Sequence, residues 1–234
     1  MTKLVLALFP ALLFAQAAPS FDVASIKPSD ALKKAGATSG WSISPSGNGL
    51  KIVGSLQTLI RYAYGMEDVQ IYGGPAWLDR DIFEINAKAA TQVSGDDLKL
   101  MLRSLLAERF QLTSHTETRQ LPIYSLVTLK GASKLPEGDT NMKGSFSTGP
   151  GSLRGTMDTP RFAAHLTSML GRTVIDNTGL NGIWKFDLTW APEDGTPTAA
   201  IFSAIQEQVG LKLEATKGPV QVLVIDRAEK PSEN

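Results

Sequence analysis

The chain reads as two copies of one pattern, and no other feature narrows its possible folds as much. An offset of 103 positions sets "GLKIVGSLQTLIRYAY" (49–64) against "GSLRGTMDTPRFAAHLTSML" (151–170). Leu50 then meets Leu153, Leu59 meets Phe162, Ala63 meets Leu166 and Met66 meets Met169. Each stretch predicts a short strand running into a helix. In the first copy Ser55 is the cap, Leu56, Leu59, Ile60 and Ala63 form the apolar face, and Gly65 is the stop. In the second, Asp158 or Thr159 caps, Pro160 sits in the first turn and Gly171 ends the helix.

The match continues after small gaps. "DIFEINAK" and "WKFDLTW" both alternate with period two, as half-buried strands do. "SGDDLKLMLRSLLAERFQL" (94–112) and "TPTAAIFSAIQEQVGLKL" (196–213) carry helical stripes that align at an offset of 99, and "PIYSLV" (122–127) meets "PVQVLV" (219–224) at 97. Each unit therefore reads as strand, helix, strand, strand, helix, strand, strand. The expected fold class is α+β: two tandem similar units with mixed or antiparallel sheets. The first unit spans 18–130, with "FDVASIKPS" as an extra edge strand and a hairpin around Ser46-Gly47-Asn48-Gly49. Residues 131–150, rich in Gly, Ser, Pro and Thr, read as a flexible linker, and 151–234 form the second unit.

Residues 1–17 read as an export signal. Met1-Thr2-Lys3 is a positive start, Leu4–Phe14 an apolar run too short to span a bilayer, and Ala15-Gln16-Ala17 a small-x-small cleavage pattern. The expectation is a periplasmic or secreted protein with no transmembrane segment after cleavage. There is no cysteine, so disulfides and thiolate chemistry are excluded. Lysine plus arginine balances aspartate plus glutamate at 23 each, leaving no basic footprint for nucleic acid.

With that signal, the motifs "FDVASIKPS", "YAYGMEDVQIYGGPAWLD", "LLAERFQLTSHTETRQLPIYSLV", "VIDNTGLNGIWKFDLTW" and "GLKLEATKGPVQVLVIDRAEKPSEN" cover nearly all of the mature chain. The chain resembles the soil-associated family of exported proteins that is expanded in acidobacterial genomes and built on a domain of unknown function. A similar domain is found fused to M56-type antirepressor metallopeptidases. The resemblance implies a sensing or binding role outside the membrane. It brings no catalytic residues.

A search for chemistry finds little. The two histidines, His115 and His165, are 50 positions apart. His165 reads as a boundary residue of a helix, and His115, in the polar stretch "TSHTETR", reads as part of a solvated face, at a spacing that would let it share a strand face with Glu117. Asp79 and Asp81 read as turn and strand-entry residues, and Asp96-Asp97 as the first turn of a helix. No nucleophile elbow, phosphate loop or dinucleotide loop is present, and no cofactor or metal is expected. The candidate ligand-binding residues are aromatic: Trp41, Tyr72, Trp77, Trp184 and Trp190. The glycines of Gly73-Gly74-Pro75 read as a corner, because the equivalent gap (177–182) shares glycines but no side chains.

The expected function is a non-enzymatic binding or sensing module for an envelope peptide, glycan or protein. Edge addition of an extended peptide is one route to such binding. The alternative is a secreted hydrolase of a polymer that uses a carboxylate pair, at least one of them poorly solvated.

Overall fold

A computed structural model describes residues 19–29, 42–129, 135–191 and 198–232. The expected signal (1–17) and Trp41 lie outside the described residues.

Helix α1 (Leu56–Tyr64) starts where the Ser55 hydroxyl accepts the Thr58 N–H and stops where Gly65 turns left-handed. Helix α2 (Gly95–Arg109) begins at a capping box in which Ser94 and Asp97 satisfy each other's backbone N–H. Helix α3 (Thr159–Leu170) is capped by Asp158 and closed by left-handed Gly171. Helix α4 (Thr198–Ala204) runs on as a π-helical turn over Ile205–Val209, and Gly210 stops it. Thr196 and Pro197 lie outside the described residues.

The fold is α+β with three sheets. The first has the order β1-β5-β3-β2 and is antiparallel throughout: β1 (Val23–Pro28), β2 (Ser42–Ser46), β3 (Gly49–Ser55) and β5 (Ile82–Lys88). β1 is an edge, and β2–β3 is the hairpin expected around Gly47. Another sheet has the order β10-β8-β7: β7 (Phe146–Gly149), β8 (Ser152–Met157) and β10 (Trp184–Thr189). β7 comes from the segment read as linker. Gly151, at φ 71°, makes the tight return that lets it pair with β8, while residues 131–134 are outside the described set.

The central sheet has the order β4-β11-β6-β9: β4 (Ile71–Gly73), β6 (Thr113–Thr128), β9 (Val174–Asp176) and β11 (Leu211–Arg227). β6 and β11 form a long antiparallel ribbon, and one short parallel strand flanks each. The flanking strands are exchanged. β4 of the N-terminal half pairs with β11 of the C-terminal half, and β9 pairs with β6. The order of elements is the same on both sides: β3-α1-β4-β5-α2-β6, then β8-α3-β9-β10-α4-β11.

Each half was expected to end in two strands, but each ends in one long one. Pro122 and Pro219 would normally interrupt it. Tyr124 N–H reaches Thr173 on the β9 side of β6, so the N–H that Pro122 lacks points the same way, just before β9 begins. Pro219 stands likewise on β11, before β4 begins at Leu223. Proline is tolerated where no ladder bond is due.

The same exchange builds the interior. One apolar cluster gathers Ile52, Leu59, Ile60, Ile85, Leu102 and Leu106 from the first half and takes Leu223 and Ile225 from β11. The other gathers Leu153, Phe162, Leu166, Phe186, Ile201 and Ile205 and takes Leu126 from β6. Each half completes its core with side chains from the other half.

Candidate functional site

The aromatic residues nominated from sequence are dispersed. Trp77 is half-buried on the first core, edge-on to Phe83 at 6.2 Å. Trp184 and Trp190 share one face, as their parity predicts, and both pack partly on the second core. The Trp184 indole N–H is buried with no hydrogen-bond partner among the described residues. Tyr72 alone lies where the halves meet, with the Arg119 guanidinium 4.5 Å above its ring. Among the described residues, these aromatics form no single groove.

The Gly73-Gly74-Pro75 stretch is the corner. Gly73 and Gly74 have φ of 77° and 82°, a region that side chains disfavour.

Sheet edges offer little free backbone near β10. Pro136 O accepts the Lys185 N–H at 3.0 Å. The Gln208 side chain donates to Thr189 O at 2.6 Å and accepts from Thr189 N at 3.1 Å, occupying the place of a neighbouring strand.

The seam between the halves is hollow. A cavity of about 330 Å³ is lined by Gly65, Glu67 and Gln70 from the first half and by Ala164, Asp176 and Gln221 from the second. Its walls are fixed by local bonds. Gln70 Nε2 donates to Gln221 O at 3.2 Å, and its Oε1 accepts the Glu67 N–H at 3.1 Å. Asp176 is held by the threonines around it. Thr159 Oγ1 donates to one carboxylate oxygen at 2.6 Å and Thr178 Oγ1 to the other at 2.7 Å.

Glu67 is the perturbed acid of this cavity. Burial pushes its carboxyl above the usual glutamate value. Arg61, 3.2 Å away, and a hydrogen bond with Ser168 of the other half only partly oppose that. Glu67 also borders a smaller cavity of about 240 Å³ with Arg61, Tyr62 and Lys99. Across the seam, a third cavity of about 190 Å³ is lined by Val69, Tyr72, Leu121, Arg172 and Thr173, and Thr173 borders the 330 Å³ cavity as well.

A family model described as "Protein of unknown function (DUF3738)" matches residues 57–228. The chain belongs to the DUF3738 family. No curated protein and no solved structure matches it. The DUF3738 match runs from the second residue of α1 to just past β11, so it takes in every residue of the seam and leaves out β1, β2 and β3.

The histidines of the DUF3738 region stand apart from the seam cavities. His115 is exposed, its Nδ1 2.9 Å from Asp226, which holds its pKa above the ordinary value; Glu117 is 4.0 Å away. His165 stacks on Phe146 with ring centroids 3.6 Å apart, and burial lowers its pKa. Among the described residues, no three metal-ligating side chains converge and no helix is long and apolar enough to cross a membrane.

Sequence reading passed over Glu67, Asp176 and Arg172. No local pattern marks them, and the two aligned stretches simply differ there. At the offset of 103, Glu67 stands opposite Leu170, Asp176 opposite Gly73 and Arg172 opposite Val69. Each is a charge in one copy where the other copy has none.

Proposed function

We propose that this is an exported envelope protein that binds a small ligand or an extended segment at the seam between its halves, without turnover. The cavity of about 330 Å³, walled by both halves, carries this reading. Ligand sites favour junctions where two packed units leave a concavity with few, fixed polar groups. Exchanged strands hold the walls rigid, so a ligand meets a preformed site and binding loses little ordering entropy. Export is supported by the Lys3, Leu4–Phe14 and Ala15-Gln16-Ala17 pattern. The partner class that fits is an envelope peptide, glycan or protein surface group.

A thermal-shift screen against muropeptides, oligosaccharides and short peptides tests it. Binding is expected, and Ala164→Trp, which fills the cavity from an exposed helix position, is expected to abolish it while leaving the melting temperature unchanged. Stabilisation by none of these probes overturns the reading. Fractionation of a Gram-negative host expressing the full chain tests export.

One observation favours the hydrolase reading as a second. Glu67, poorly solvated, shares its cavity with a second carboxylate, Asp176. Turnover of a glycan or ester by the protein, lost in both Glu67→Gln and Asp176→Asn, would establish it.

A further inference from the structure

We propose that the 190 Å³ cavity is a subsite for an organic carboxylate with an apolar body, and that Arg172 supplies the counter-charge. The proposal rests on the seam being the ligand site, since Thr173 borders both this cavity and the larger one.

Arg172 is half-buried at the end of α3, immediately after the left-handed Gly171. Among the described residues it has no carboxylate within salt-bridge distance and no hydrogen bond. Arg61, Arg119, Arg154 and Arg227, elsewhere in the chain, each pair with an acid. The contact that places Arg172 is with a ring. Its guanidinium carbon lies 4.6 Å from the Tyr124 centroid, and Tyr124 is itself fixed edge-on to Phe202 at 5.1 Å. A stacked guanidinium keeps its in-plane N–H donors free, and those donors match a carboxylate in a bidentate fork.

The remaining walls select the rest of the ligand. Val69, Leu121 and Pro122 are apolar, and Tyr72 adds a ring already packed against Arg119. Among the described lining residues, the Tyr72 phenol and the Thr173 hydroxyl are the other polar groups. An apolar wall with one unpaired cation suits a hydrophobic acid, such as the C-terminus of a short peptide, better than a hydrated inorganic anion. The repeat points to the same residue: Arg172 and Val69 occupy equivalent positions of the two copies and both line this cavity, yet only one is charged.

The test is calorimetric titration of the protein with N-acetyl-leucine, N-acetyl-phenylalanine, their C-terminal amides and inorganic phosphate. The acids are expected to bind, and the amides to bind at least about tenfold more weakly, as loss of a charged hydrogen-bonded pair implies. Arg172→Gln is expected to lose the acids to the same extent, with Arg172→Lys between the two. Because Arg172 is half-buried at a helix end, circular dichroism of each variant checks that it folds. Acids and amides that bind alike, with Ala164→Trp abolishing both, overturn the carboxylate subsite and leave the seam reading standing. Phosphate binding as tightly as the acids, acids unaffected by Arg172→Gln, or no binding of either acid at millimolar concentration also overturns it.

Discussion

A Cβ placed on Gly73 would stand 2.8 Å from the carbonyl oxygen of Ile225. These two residues are partners in the parallel ladder that joins the halves, so the closeness is set by backbone on both sides and no side chain can yield. Gly73→Ala therefore combines this clash with the strain of a left-handed φ of 77°. It is expected to destabilise by about 2–3 kcal/mol. Gly179→Ala, at φ 70° with open space around it, is the control and is expected to cost only about 1 kcal/mol. Chemical denaturation of both variants checks the ordering.

Leu59 and Leu166 are both fully buried, one in each core. Truncation of either to alanine is expected to cost about 2–5 kcal/mol. Because β11 completes the first core and β6 the second, both losses are expected in one cooperative transition. Hydrogen exchange followed by mass spectrometry is the check: protection of α1 and α3 should fall together in each variant. Loss confined to the mutated half would show that the ribbon does not couple them.

Glu67 predicts a pH dependence with a definite sign. Its pKa is raised in the folded state, chiefly by burial, so the native protein holds this proton more tightly than the unfolded chain. Its contribution is then fully present below the ordinary value of 4.5 and is lost as pH rises through the folded value. Glu67→Gln should melt no lower than the parent at neutral pH, and its advantage should vanish below 4.5. Melting curves across that range decide it.

The two histidines should titrate on opposite sides of the ordinary 6.5, His115 above it and His165 below. Asp226→Asn removes the negative charge beside Nδ1 and should bring His115 down while leaving His165 in place. Proton NMR of the imidazole signals against pH measures both. The raised value of His115 means that its stabilisation is present below 6.5 and is lost as pH rises through the folded value.

Gln208 covers the backbone of Thr189 with two hydrogen bonds. Gln208→Ala should lower stability by about 1 kcal/mol and leave a strand edge open. Light scattering during storage should then show faster self-association than in the parent.

Much of the local structure was legible along the chain. Ser55, Ser94 and Asp158 announce helix starts because a short acceptor there meets an N–H three residues on. Leu56, Leu59, Ile60 and Ala63 announce the buried face because their spacing follows the helical turn. The β2–β3 hairpin and the core face of Trp184 and Trp190 follow from turn chemistry and strand parity. The merging of the last two strands of each half was not legible, because a proline breaks or spares a strand according to which side its missing N–H faces. The charged residues of the seam were not legible either, since 23 acidic residues offer no local mark of which ones face each other.

Periodicity, caps and glycines thus set which segments are helix and strand, since those signals act over a few residues. Where β4 and β9 would pair was settled only in three dimensions. Each is three residues long and too short to choose a partner by its own pattern. Each takes the free side of the other half's long strand, where apolar side chains complete a core. That exchange brings Glu67, Asp176 and Arg172 to one seam, and no spacing along the chain encodes it.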